Sequence, residues 1–106
     1  MDILERDLER KFKECMERLG CIVFKFISPG KAGVPDRLVV MPGGRCFFVE
    51  LKRPGGRARP LQLFWKKRLE AQGAGCFVID SLDSLENIRR AVMEESEVSP
   101  VEVQAP

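Results

Sequence analysis

The chain of 106 residues contains no histidine and no tyrosine. Without histidine it cannot build a Ser-His hydrolase site, use an imidazole as general base, or complete a mixed Cys/His zinc site. Without tyrosine, cleavage of DNA through a tyrosine nucleophile is also excluded. These absences direct attention to carboxylates and lysines as the side chains that could carry chemistry.

Cysteine is sparse and long apolar runs are missing. The four cysteines (Cys15, Cys21, Cys46 and Cys76) form no CxxC pair, so we expect reduced, buried side chains of a cytoplasmic protein. The apolar runs are too short to cross a membrane, and the N-terminus is charged from Asp2 onward, so we expect neither a membrane span nor a signal peptide. With 44% hydrophobic and 32% charged residues, the composition predicts one globular domain.

Acidic residues are absent from positions 51–69, although the net charge of the whole chain is only +2. The net charge of the chain is low because acidic residues nearer its ends offset a basic middle segment. Such a basic segment favours contact with phosphates. The cationic residues of this stretch are Lys52, Arg53, Arg57, Arg59, Lys66, Lys67 and Arg68.

Apolar spacing and turn residues predict the element order α-β-β-β-α-β-α, which is an α/β fold. We expect helices at 2–19, at 60–73 and from a capping box at Asp83 to about residue 95, with strands at 21–27, 37–41, 45–52 and 76–79. Trp65, at helical spacing with Leu61 and Leu69, is expected in the core rather than as a base-stacking surface. The domain should span 1–95, and 96–106 should be a flexible tail.

Two short motifs bring carboxylates and a lysine together. Gly33-Val34-Pro35-Asp36 precedes one strand, and Glu50-Leu51-Lys52 ends the next. Because side chains alternate along a strand, Glu50 and Lys52 project to the same side. Carboxylate oxygens beside an ammonium suit Mg²⁺ or Mn²⁺ rather than zinc, and point to hydrolysis of phosphodiesters.

The hairpin between these motifs makes a testable prediction about register. A two-residue loop at Gly43-Gly44 would set Asp36 opposite Leu51, and therefore on the wrong face for a shared site. We predict a three-residue loop or a bulge, which would restore the facing of Asp36 and Glu50.

The motifs resemble those of the PD-(D/E)xK nuclease superfamily, and more closely its VRR-NUC branch of virus-type replication and repair nucleases. The similarity covers about residues 2 to 92. It includes Glu5 in the first helix, the Gly-x-Pro-Asp turn at 33–36, the Glu50-x-Lys52 strand and Pro60-Leu61-Gln62 at the start of the next helix. Short patterns of this kind occur by chance, but their order and placement on the right elements make the combination specific.

The resemblance implies a restriction-endonuclease-like core, with a mixed central sheet flanked by helices. It implies catalytic roles for Glu5, Asp36, Glu50, Lys52 and Gln62. It also implies Mg²⁺ or Mn²⁺ as cofactor, held by Asp36, Glu50 and the Leu51 carbonyl, with Glu5 acting through a water. Taken singly, these residues have simpler interpretations: a turn cap for Asp36, a surface ion pair for Glu50 and Lys52, and solvated helix positions for Glu5 and Gln62.

The expected partner is DNA, contacted through phosphates by Lys31, Arg53, Arg57, Arg59, Lys66 and Lys67. The alternative for these cations is a merely solvated face. Stand-alone proteins similar to this branch are structure-selective endonucleases, so the resemblance implies cleavage of four-way junctions by a homodimer in DNA repair or phage replication. A flap, end or single-strand nuclease and a non-catalytic DNA-binding module stay open as alternatives.

Overall fold

Seven elements follow one another in the predicted order. The computed structural model describes residues 5–52, 56 and 59–97. The elements are α1 (Glu5–Arg18), β1 (Ile22–Lys25), β2 (Arg37–Val40), β3 (Cys46–Leu51), α2 (Pro60–Ala71), β4 (Gly75–Ile79) and α3 (Leu82–Glu97). The α-β-β-β-α-β-α prediction is confirmed.

The four strands form one mixed sheet in the order β1-β2-β3-β4. The first three strands pair antiparallel as a meander, and β4 pairs parallel to β3 after the crossover through α2. A parallel neighbour requires such a crossover, because a tight turn can join only antiparallel strands. The C-terminal end of β3 and the N-terminal end of α2 thereby lie at the same end of the sheet.

The core lies between one face of the sheet and the helices α1 and α3. Helix α1 packs on β1, β3 and α3, and α3 packs on β4. Apolar residues four apart on α1 and three to four apart on α3 provide the buried stripes, as helical geometry requires. The buried residues include Leu8, Phe12 and Met16 of α1, Val39 of β2, Val49 of β3, and Leu85, Ile88 and Val92 of α3.

Helix α2 differs from this pattern and buries none of its residues. It contacts β4 on the other side of the sheet. Trp65 is only partly buried and lies outside the core cluster, so the prediction of a core tryptophan was wrong. Cys46 was also expected to be buried, but as the first residue of β3 it is exposed, because the strand has only just entered the sheet there.

The start of α3 lies earlier than the sequence indicated. Ser81 Oγ accepts a hydrogen bond from the Ser84 backbone N–H at 3.0 Å, and Ser84 Oγ accepts one from the Ser81 N–H at 3.1 Å. This reciprocal pair caps the helix with Ser81 in the role that was assigned to Asp83. At the other end, α3 includes Ser96 and Glu97, which were placed in the tail. The remainder of the predicted tail lies outside the described residues.

Candidate active site

The β2–β3 hairpin sets the two motif carboxylates opposite each other. Val40 pairs with Cys46, and the Met41 N–H donates to the Arg45 carbonyl at 2.7 Å, so residues 42–44 form a three-residue loop. The prediction of such a loop is confirmed. At the other end of the hairpin Arg37 pairs with Val49. The same register places Asp36, one residue earlier, opposite Glu50.

A polar cleft of about 640 Å³ surrounds this pair. It opens where β2 begins and β3 ends, between the N-terminal turns of α1 and α2. Four elements that are distant in sequence therefore contribute to one site. The described residues that line it are Glu5, Glu9, Asp36, Arg37, Glu50, Leu51, Lys52, Gly56, Arg59 and Gln62.

Glu50 is the most enclosed carboxylate of the predicted set, with a side chain that is 17% exposed. Burial raises the pKa of Glu50 above its usual value of 4.5; Lys52 opposes the shift and Asp36 adds to it. Lys52 Nζ lies 3.5 Å from Oε1 of Glu50. A carboxylate whose charge is under-compensated by its surroundings is one that gains from an added cation.

Gln62 fixes the orientation of Glu50. Its Nε2 donates to Glu50 Oε1 at 2.7 Å, while its Oε1 accepts from the Arg59 backbone N–H at 2.8 Å. If the Gln62 amide were flipped, its Nε2 would face the Arg59 N–H and two hydrogen-bond donors would meet. The network therefore requires that the Gln62 NH₂ group faces Glu50. The Gln62 and Lys52 contacts are both made to Oε1 of Glu50.

Glu9 and Arg37 belong to the cleft but were missed by the sequence prediction. The buried Arg37 guanidinium donates from Nη2 to Glu9 Oε1 at 2.6 Å, and its Nη1 lies 2.7 Å from Asp36 Oδ2. The Nη1 contact is an ion pair without hydrogen-bond geometry. Arg37 therefore ties the first helix to Asp36. A sequence signal existed for both: Arg37 occupies an inward position of β2, and Glu9 lies one turn after Glu5.

The loop that carries Asp36 is packed tightly on α2. Gly33 has φ of +90°, and a β-carbon built there would lie 2.7 Å from the carbonyl carbon and the β-carbon of Leu61. Only glycine allows both the backbone conformation and this approach. The Asp36 loop and the Gln62 turn are thus held together by a backbone contact.

The other predicted residues divide into three groups. Glu5 lines the cleft with an exposed side chain, and Leu51 lines it from the end of β3. Arg59 lines the cleft, whereas Lys31 and Lys67 are exposed outside it and Lys66 is paired with Glu70 at 2.9 Å. Arg53 and Arg57 lie outside the described residues.

The donor set fits a hard divalent cation held in part by water and substrate. The cleft offers carboxylate, carbonyl and amide oxygens, and no cysteine. No cluster of three or more His, Cys, Asp or Glu arranged for a metal occurs within the described residues. Mg²⁺ is commonly held by only one or two carboxylates plus waters and phosphate oxygens. Asp36 and Glu50 fit such an open site, in which water and substrate supply the remaining ligands.

Within the described residues, none of the helices has the length and hydropathy that a membrane span requires. No family model matches the chain.

Comparison with known proteins agrees with the site. A relative from Acyrthosiphon pisum secondary endosymbiont phage 1, named "Putative nuclease p44", is 44% identical over 81 residues, which are 76% of this chain and 87% of the relative. A solved structure of a VRR_NUC domain superposes with a TM-score of 0.74 at 34% identity, and the match covers 79% of this chain and 91% of that one. The fold, the order of the motifs and both relatives agree, and the chain belongs to the VRR-NUC family of nucleases.

Proposed function

We propose that this nuclease is a metal-dependent DNA endonuclease that hydrolyses phosphodiester bonds in the cleft between α1 and α2. The observation that carries the proposal is the facing of Asp36 and Glu50 across the hairpin, with Lys52 and Gln62 both on Glu50. A surface ion pair would not require a buried carboxylate with a raised pKa. Nor would it need a dedicated amide donor.

Asp36 and Glu50 are the proposed metal-binding carboxylates, with the Leu51 carbonyl as a further oxygen and Glu5 acting through a water. Mg²⁺ or Mn²⁺ held there would lower the pKa of a bound water and polarise the scissile phosphate. In this proposal the metal is bound by Oε2 of Glu50, since Gln62 and Lys52 both contact Oε1. The Asp36 carboxylate forms an ion pair with Arg37, and the Asp36 backbone carbonyl accepts a hydrogen bond from the Phe26 N–H at 3.0 Å.

Lys52 is the proposed catalytic cation. Its side chain is 14% exposed and borders the cleft, so its ammonium is confined near the position of the phosphate. From there it can orient the attacking water or stabilise the charge that develops on phosphorus. Gln62 acts as a positioning residue through Glu50, and through the first turn of α2 that it caps.

DNA is proposed to lie across the cleft and along the exposed side of α2. Arg59 lines the cleft, and Lys31 and Lys67 are exposed beyond it. These cations, with Arg53 and Arg57 from the sequence between β3 and α2, would neutralise phosphates and supply most of the affinity, which should then fall with salt. Lys66 contributes less in this proposal, since Glu70 already compensates its charge.

The proposed substrate is a four-way junction, cut by a homodimer. Two active sites related by a twofold axis would account for paired cuts in a symmetric branch. The proposed dimer surface is the outer part of the sheet, where Ile22 is 56% and Phe24 50% exposed. Both side chains lie on one face of the sheet, because residues two apart on a strand point to the same side.

The test is a matched panel of linear duplex, 5′ flap, splayed arm and four-way junction, with Mg²⁺, Mn²⁺ or EDTA. Wild type is compared with Glu50→Gln, which keeps the size and the Oε1 acceptor but removes the charge. Symmetric, metal-dependent cuts in the junction alone, lost in the variant, are the expected result. Cleavage of flaps or ends instead would overturn the four-way junction as the proposed substrate. Undiminished cleavage by Glu50→Gln would reject the site, and metal-dependent binding without cleavage would reject the catalytic proposal.

A further inference from the structure

An exposed aromatic surface on α2 is not used by the cleft. Phe64 and Trp65 pack edge to face with ring centroids 5.3 Å apart, and the Phe64 residue is 48% exposed. The Arg68 guanidinium lies 5.5 Å from the Phe64 ring and 5.7 Å from the Trp65 ring, and Lys31 Nζ lies 5.7 Å from the Trp65 ring. We call these four residues the aromatic platform.

The core does not explain this arrangement. Helix α2 buries no residue, and Leu61, one turn before Trp65, is 53% exposed. Trp65 is nevertheless fixed in place, because its Nε1 donates to the Ala32 carbonyl at 3.0 Å. The result is a large ring with a set orientation, open in part to solvent and bordered by two cations.

The first turn of α2, which precedes the platform, contacts both segments that carry the carboxylates of the cleft. Gly33 abuts Leu61 at the first turn of α2, and the next residue, Gln62, donates to Glu50. Trp65 lies three residues after Gln62, which is about 4.5 Å along the helix axis. A strand whose phosphate lies at Glu50 would therefore have its neighbouring nucleotides close to the platform.

We propose that the aromatic platform stacks an unpaired nucleobase of the substrate strand, with Lys31 and Arg68 meeting the adjacent phosphates. The inference rests on the proposed function, because it assumes that nucleic acid enters the cleft. It adds that a base near the cut site is unpaired when the strand is bound. Every base offers a π-face, so the platform would tolerate any sequence.

The charges on this surface favour nucleic acid over a second copy of the chain. An isologous contact would bring each side chain near its own copy or near its immediate neighbours. Lys31 and Arg68 would then lie close to their own copies, and the platform itself has no acidic residue to compensate them. A polyanion with flat aromatic groups complements both the charges and the rings.

Trp65 offers a direct readout, since the chain has a single tryptophan and no tyrosine. We would titrate wild type in EDTA with a short oligothymidylate and with an abasic oligonucleotide of equal length, and record tryptophan emission. Stacking should quench emission with oligothymidylate and not with the abasic strand. Equal quenching by both would assign the change to phosphates near Lys31 and overturn the proposal.

Variants supply the second measurement, by anisotropy of a labelled oligothymidylate. Trp65→Ala should weaken binding about 5- to 140-fold, which corresponds to about 1–3 kcal/mol for one stacked base at 1.4 kcal/mol per tenfold. Phe64→Leu retains apolar bulk without the aromatic ring, so it should weaken binding even if Trp65→Ala perturbs folding. Phe77→Leu makes the same change at a ring of β4 that is 39% exposed, and is the control that should bind normally.

The outcomes separate the platform from the nuclease proposal. Metal-dependent cleavage without base-dependent quenching would overturn the platform alone. Base-dependent quenching without any cleavage would support the platform and remove the catalytic proposal. Emission that shifts with protein concentration in the absence of DNA would show a second copy on α2, and would also overturn the platform.

Discussion

Replacing Gly33 by alanine tests how closely the loop carrying Asp36 must approach α2. Two costs follow from the structure. A non-glycine residue at φ of +90° costs about 1–2 kcal/mol in left-handed backbone strain. The new β-carbon would also lie 2.7 Å from two Leu61 atoms and 2.9 Å from its carbonyl oxygen, and such overpacking typically adds about 1–3 kcal/mol.

Gly30→Ala is the matched control, because it lies in the same loop. Gly30 has φ of +75°, and a β-carbon there would meet nothing within 4 Å. We expect this variant to lose only the strain of about 1–2 kcal/mol, whereas Gly33→Ala should lose about 2–5 kcal/mol in total. Against a usual folding stability of about 5–15 kcal/mol, the larger loss is easily measured.

The assay is urea unfolding with linear extrapolation, followed by cleavage under conditions where each variant is folded. Because Leu61 precedes Gln62, a displaced α2 should also misplace the Glu50 carboxylate, so Gly33→Ala should lose cleavage even when folded and Gly30→Ala should not. Equal unfolding free energies for the two variants would refute the reasoning, since Leu61 would then yield to a β-carbon at no cost.

Three further changes address the charges of the site. Glu50→Gln should raise the melting temperature at neutral pH in EDTA, because burial raises the pKa of Glu50 and its ionisation therefore weakens folding. The difference in melting temperature between the variant and wild type should shrink as the pH falls toward 4.5, where wild-type Glu50 becomes protonated. A difference that stays constant with pH would contradict this reasoning. Arg37→Met should lower the free energy of unfolding, because Glu9 and Asp36 lose the cation that compensates both. The loss should stay below the about 3–5 kcal/mol of a fully buried pair, since these carboxylates are 42% and 48% exposed. The variant should also raise the pKa of Glu50 further by removing a nearby positive charge, visible by carboxylate NMR. Arg59→Ala combined with Lys67→Ala should weaken DNA binding and flatten its dependence on salt by about two counterions; an unchanged slope would move the DNA path elsewhere.

The element order could be predicted because periodicity and turn residues agreed. Leu8, Phe12 and Met16 repeat at helical spacing and are all buried. The three-residue hairpin loop followed from requiring Asp36 and Glu50 to face each other. In the first case a short-range pattern was sufficient, and in the second the requirement that two carboxylates share one site fixed the register.

The sequence prediction was wrong or incomplete where distant contacts decide. Arg37 has its role only because α1 brings Glu9 to within 2.6 Å. Trp65 has the spacing of a core residue, yet α2 lies on the side of the sheet away from the core and leaves several of its apolar side chains about half exposed. Helical periodicity cannot distinguish a face that meets the core from one that meets a ligand.

The charges of the cleft predict that metal and DNA bind cooperatively. Of the described residues that line it, four are carboxylates (Glu5, Glu9, Asp36 and Glu50) and three are cations (Arg37, Lys52 and Arg59). The excess negative charge disfavours binding of a phosphate without a metal ion. A divalent cation bound without a phosphate would make the net charge of the cleft positive. Together a divalent cation and one phosphodiester bring the sum to zero.

Linkage turns this balance into a measurement. If Ca²⁺, which also takes oxygen ligands, tightens binding of a junction by some factor, the junction must tighten Ca²⁺ binding by the same factor. Calorimetry of each ligand with and without the other gives both factors, with gel analysis to show that the DNA stays intact. Asp36→Asn should abolish the coupling while retaining DNA affinity in EDTA. Independent binding of the two ligands would mean that the phosphate and the cation do not share this cleft, and the catalytic assignment of Asp36 and Glu50 would fall with it.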